Sequence, residues 1–89
     1  MTHTDEALVE SVLTEFRREM PDSVRSLSHR FDTDAAGEDA VFIVLNVADQ
    51  LKPSRHEVRH LVDFSDRIRQ RLLSRHIHAW PYLSVVDAA

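Results

Sequence analysis

The sequence predicts an α+β fold, a two-layer α/β sandwich in the order α-β-β-α-β, with a three-stranded mixed sheet and both helices on one face. Three observations lead there. Residues 40–47, Ala-Val-Phe-Ile-Val-Leu-Asn-Val, are apolar at seven of eight positions. A run so short and unbroken reads as a strand buried on both faces. On either side of it lie two long stretches with helical apolar spacing. Between these, turn-forming residues mark out one hairpin and one crossover.

The first helix is expected to begin near Thr4 as N-cap, with Asp5 and Glu6 suited to the positive end of the helix dipole. Leu8, Val12, Phe16 and Met20 recur every four residues, with Val9 and Leu13 beside them, which makes one apolar stripe. Pro21 stops the helix, because the residue before a proline is pushed out of the α region. Glu10, Glu15 and Glu19, relieved by Arg17 and Arg18, form an acidic outer face.

Residues 24–31 read as a strand with one polar face, suited to a sheet edge. Leu27, His29 and Phe31 take one parity, and Ser26, Ser28 and Arg30 the other. Residues 32–39, Asp-Thr-Asp-Ala-Ala-Gly-Glu-Asp, hold the single glycine and read as a hairpin loop leading into the central strand.

A short connection over 48–53 follows. Ser54 with Glu57 has the form of a capping box opening a second helix over about 55–75. Val58, Leu61, Val62, Ile68 and Leu72 share its apolar face, with Phe64 on the flank. Six of the eleven basic residues lie here, so the two helices are compatible neighbours, one acidic and one basic. Residues 76–86 read as the last strand. Pro81 cannot donate to a ladder, which places this strand at an edge or gives it a bulge.

Two helices can cover only one face of a three-stranded sheet. That face takes Leu27, Phe31, Val41, Ile43, Leu45, Leu83 and Val85. The other carries Phe42, Val44, Trp80 and Tyr82 with no element left to cover them. Contiguous exposed apolar surface marks an interface, and aromatic residues are enriched at interface cores. Phe42, Val44, Trp80 and Tyr82 are therefore the candidate interface.

Composition limits the function classes. A chain of 89 residues, 43% hydrophobic and 29% charged, is expected to form a single globular domain over 1–89. It has no cysteine and no apolar run of membrane-spanning length. The opening Met-Thr-His-Thr-Asp-Glu has no signal-peptide character, so a cytoplasmic location is expected. A net charge of −4 opposes nucleic-acid binding driven by the overall field. The arginines of the second helix spread around it instead of forming a stripe.

His56-Glu57-Val58-Arg59-His60 spells H-E-x-x-H, in which two histidines one turn apart hold zinc and the glutamate activates water. Helical phasing turns His56 and His60 away from the apolar face, and no third ligand follows at a familiar spacing. The expectation is a non-enzymatic protein. No nucleophile elbow, phosphate loop or dinucleotide fingerprint is present. The hairpin resembles a calcium loop only at its start, and Ala36 and Ile43 stand where ligands belong.

A second set of candidates follows from topology. His29, His76 and His78, with Asp32, Asp34, Glu38 and Asp39, fall at one end of the sheet. Histidine with carboxylate suits zinc, so a metal-binding regulatory domain is the alternative function. The bland reading of the same residues is a solvated hairpin tip beside surface histidines.

The stretches Arg59-His60-Leu61-Val62 and His76-Ile77-His78, within the α-β-β-α-β order, resemble the cytoplasmic domain of cation-diffusion-facilitator transporters. The likeness spans about 60 residues and implies a zinc role, but Asn46 and its neighbours supply no histidine in the central strand. The strand Trp80-Pro81-Tyr82 is also similar to that of small uncharacterised bacterial proteins ending in Trp-Pro-Tyr or Phe-Pro-Tyr. That resemblance implies an accessory or antitoxin-like partner. From the residues themselves, the leading expectation is a non-catalytic interaction module that homodimerises or pairs with another protein through the open sheet face.

Overall fold

A computed structural model describes residues 3–47 and 55–87. The elements are α1 (His3–Arg17), β1 (Val24–Thr33), β2 (Asp39–Val47), α2 (Arg55–Ser74) and β3 (Trp80–Asp87). The sheet order is β1-β2-β3, with β1 antiparallel and β3 parallel to the central β2. This is the expected α+β sandwich. Ser54 and the 48–53 connection, the start of the expected capping box, lie outside the described residues.

Alternation along β2 sets the core. Val41, Ile43 and Leu45 are fully buried and face the helices. Their register partners Leu27 and Phe31 on β1, and Pro81 and Leu83 on β3, extend the same layer. Over it pack Val9, Val12, Leu13 and Phe16 from α1 and Phe64, Ile68 and Leu72 from α2. Phe16 meets Phe64 edge to face, with ring centroids 5.8 Å apart, a geometry that aligns ring edge with ring face.

The two helices are joined at their polar margins as well. Glu15 accepts from both Arg71 and Arg75, and Arg67 donates to Glu19 at 2.9 Å. The guanidiniums of Arg67 and Arg71 also lie over the Phe16 ring. The acidic and basic helices are thus complementary, but Glu15 and Glu19 sit at the helix–helix seam and not on an outer face. Arg17 leaves that face too and donates to the Leu27 carbonyl at 3.1 Å.

Several boundaries differ from expectation. Thr4 lies inside α1, which has begun by His3, and the helix ends at Arg17, short of Met20. The intervening residues make a turn in which the Glu19 amide donates to the Phe16 carbonyl. On α2 the buried stripe is Phe64, Ile68 and Leu72, with Leu61 partly buried, while Val58 and Val62 are exposed. Val85 has the predicted inward parity yet is 46% exposed.

The largest correction concerns the last strand, which begins at Trp80 and not at residue 76. His76 adopts φ 61°. Its amide donates to the Leu73 carbonyl, and the Ile77 amide to the Leu72 carbonyl. These are the paired bonds of a Schellman ending, with His76 at the left-handed position that glycine favours. Ile77 then packs back onto the core beside buried Leu72. The histidine segment is therefore a helix stop and a link.

Candidate functional site

The outward parity of the strands forms four rows across the sheet. Register places Asp32, Ala40 and Trp80 in the first, then Arg30, Phe42 and Tyr82. Ser28, Val44 and Ser84 make the third, and Ser26, Asn46 and Val86 the fourth. Pro81 falls inward and is buried, so the ladder stays regular and does not bring Trp80 into the core. Trp80 is 50% and Tyr82 40% exposed. Phe42 and Val44 are partly buried, and the cause is local. Tyr82 stacks on Phe42 with centroids 5.4 Å apart and 15° between planes. The Arg30 guanidinium lies over the same ring, 4.9 Å from its centroid. Opposite Trp80, Ala40 is only 1% exposed.

Polar contacts fix this aromatic end. The Tyr82 hydroxyl donates to Asp34 Oδ2 at 2.9 Å. Asp34 Oδ1 accepts from the amides of Ala36 at 2.9 Å and Glu38 at 3.0 Å, which folds the hairpin tip around one carboxylate. Gly37 closes the tip at φ 80°, a conformation that glycine adopts without steric cost. The Glu38 amide, with the Tyr82 hydroxyl next, holds the Asp34 carboxyl below the usual aspartate range. The same bond to Asp34 pushes the Tyr82 phenol up. Arg30 pairs with Asp32 at 2.7 Å. The Thr33 amide and then Arg30 lower the Asp32 pKa. At the far end Asn46 Nδ2 donates to Ser26 Oγ at 3.1 Å. Arg30 and Asp32 thus pair on this face, and the row of Ser28, Val44 and Ser84 beyond them is small and neutral.

The candidate metal ligands separate by role. His29 points inward opposite Ile43, edge-on to Phe31 at 5.7 Å, with its side chain 13% exposed and Nε2 3.7 Å from Glu6. His76 ends α2. His78 is exposed with Nε2 3.6 Å from Asp39. Among the described residues no three histidine, aspartate or glutamate side chains are placed to hold a metal ion.

His56 and His60 are both exposed on α2, with ring centroids 6.3 Å apart and planes tilted by 50°. They line a shallow depression with Arg59 and Asp63, but among the described residues no three such side chains converge to hold a metal ion. Four arginines of α2 and its C-terminal end have local partners: Arg71 and Arg75 bind Glu15 of α1, Arg67 binds Glu19 just beyond α1, and Arg69 binds Asp66.

One structural residue had no sequence signal. Asp5 is 4% exposed, and its carboxylate accepts from the Ala79 amide at 2.9 Å and the His78 amide at 3.2 Å. It ties the first turn of α1 to the approach to β3. Acid in a helix's first turn is explained by the dipole alone, so the sequence gives no cue to partners 73 and 74 positions away.

The fold and face define a small α+β sandwich with one side of its sheet open. Comparison with protein families, curated proteins and solved structures finds no match to any of them. No helix among the described residues is long and apolar enough to cross a membrane.

Proposed function

We propose that this protein is a non-catalytic interaction module that pairs with a protein partner through the open sheet face. One observation carries the reading: Trp80 and Tyr82 stand half-exposed on a sheet face that neither helix covers. Large aromatic side chains supply binding energy when a partner excludes water from them. Tyr82 is held in place beforehand by its stack on Phe42 and its bond to Asp34. A surface fixed before binding loses less entropy when a partner closes on it.

The test compares wild type with Trp80→Ser, using sedimentation and capture of partners on immobilised protein. The substitution is expected to weaken association at least tenfold while circular dichroism and thermal unfolding change little. A wild-type protein that remains monomeric at high micromolar concentration and captures nothing would overturn the reading.

A further inference from the structure

We propose that the occupant of the open face is a second copy of this chain, stacked sheet to sheet with its strands running in the opposite direction. This rests on the reading of the face as an interface and adds its partner and orientation. Consider a two-fold axis lying between the sheets, perpendicular to the strands and midway between the Phe42 and Val44 rows. Each strand then lies over its own counterpart. Trp80 faces Val86 of the second copy, Tyr82 faces Ser84, and Phe42 faces Val44. On β1, Arg30 faces Ser28 and Asp32 faces Ser26. Except at Ala40, which faces Asn46, every large side chain meets a small one, because the bulk lies in the first two rows and the small residues in the last two. The alternative axis, along β2, sets Phe42 on Phe42 and serine on serine. That leaves one end crowded and the other gapped, which close-packed interfaces do not tolerate.

Charge favours the same choice. The hairpin end carries Asp32, Asp34, Glu38 and Asp39. An axis along β2 would bring the two hairpins together and oppose like charges, whereas the crossed arrangement sends them to opposite ends. There the hairpin approaches the exposed Arg25, at the β1 irregularity of the second copy. Within the contact, Arg30 carries its own counter-ion in Asp32, and a paired charge is less costly to desolvate than a lone one. The open face, three strands about 4.8 Å apart with β3 eight residues long, is comparable with the smaller interfaces that complexes bury. Strands of stacked sheets remain within about 30° of one another, so the central β2 pairs are the best aligned.

The test uses the absence of native cysteine. Full-length Ser26→Cys and Asp32→Cys are mixed and treated with a short bismaleimide, with circular dichroism as the check on folding. Sedimentation of wild type is expected to give twice 10.3 kDa, and the mixture is expected to yield the heterotypic crosslink. Crosslinking of Ser26→Cys to Val86→Cys instead, with dimer mass retained, would overturn the orientation. A monomer that captures a different protein, with capture lost in Trp80→Ser, would overturn the second copy while leaving the interface reading intact. A monomer that captures nothing would remove both.

Discussion

Phe42 and Tyr82 stack in register across β2 and β3, and Tyr82 then reaches past the ring to hydrogen-bond Asp34 at the hairpin tip. One side chain thus joins all three strands, since Asp34 directly follows β1. The bond favours ionised aspartate beside neutral tyrosine, so it leaves two opposite signatures in pH.

The Asp34 pKa is lowered on folding. Its contribution is present above the unfolded value of 3.8 and is lost as pH falls through the lower folded pKa. The Tyr82 pKa is raised above 10.0. Its contribution is present below that value and is lost as pH rises through the folded pKa. An ultraviolet titration of the single tyrosine is expected to show a midpoint above that of free tyrosine. Asp34→Asn is expected to lower it, and an unchanged midpoint would exclude the bond.

Asp5 satisfies two backbone amides at the entrance to β3. Asp5→Ala leaves those donors without their carboxylate and is expected to cost about 2–3 kcal/mol, read as a lower urea midpoint at unchanged slope. Asp5→Asn keeps one acceptor oxygen and is expected to recover part of the loss.

His76 holds φ 61° at the end of α2. A side chain in that region costs about 1–2 kcal/mol relative to its right-handed alternative, and the Schellman bonds compensate. His76→Gly is expected to stabilise the protein by about 1 kcal/mol. Thermal denaturation measures it, and a fall in Tm would contradict this account of the helix stop.

Phe64 and Val62 lie on one helix yet differ in burial, at 2% and 63% exposed. Phe64→Ala opens a cavity beneath Phe16 and is expected to cost about 3–5 kcal/mol. Val62→Thr is expected to fall within about 0.5 kcal/mol of wild type. Chemical denaturation distinguishes them directly.

Those two positions also mark what the sequence could convey. Two-sided apolarity over residues 40–47 identified the central strand, and the strand parities followed from it, including the outward placement of Phe42, Val44, Trp80 and Tyr82. Turn residues gave the element order. The core-facing stripe of α2 was blurred because Val58 and Val62 are apolar yet lie to the side of the Leu61, Phe64, Ile68 and Leu72 stripe that packs on the core. Residues 76–79 have the apolar and histidine content of a strand. The left-handed turn at His76 arises from the Schellman bonds and from Asp5 gripping the next amides. The four-row arrangement of large and small side chains needed the register, which depends on how three distant segments align.

The most direct measurement of the central claim, that the open face closes on a second copy, uses Trp80, the only tryptophan. Its emission and its quenching by acrylamide are recorded as protein concentration rises from nanomolar to high micromolar. Pairing is expected to shift the emission to the blue and to reduce quenching severalfold, with both changes saturating together. Emission that keeps the character of a half-exposed indole, equally quenchable at every concentration, would contradict it.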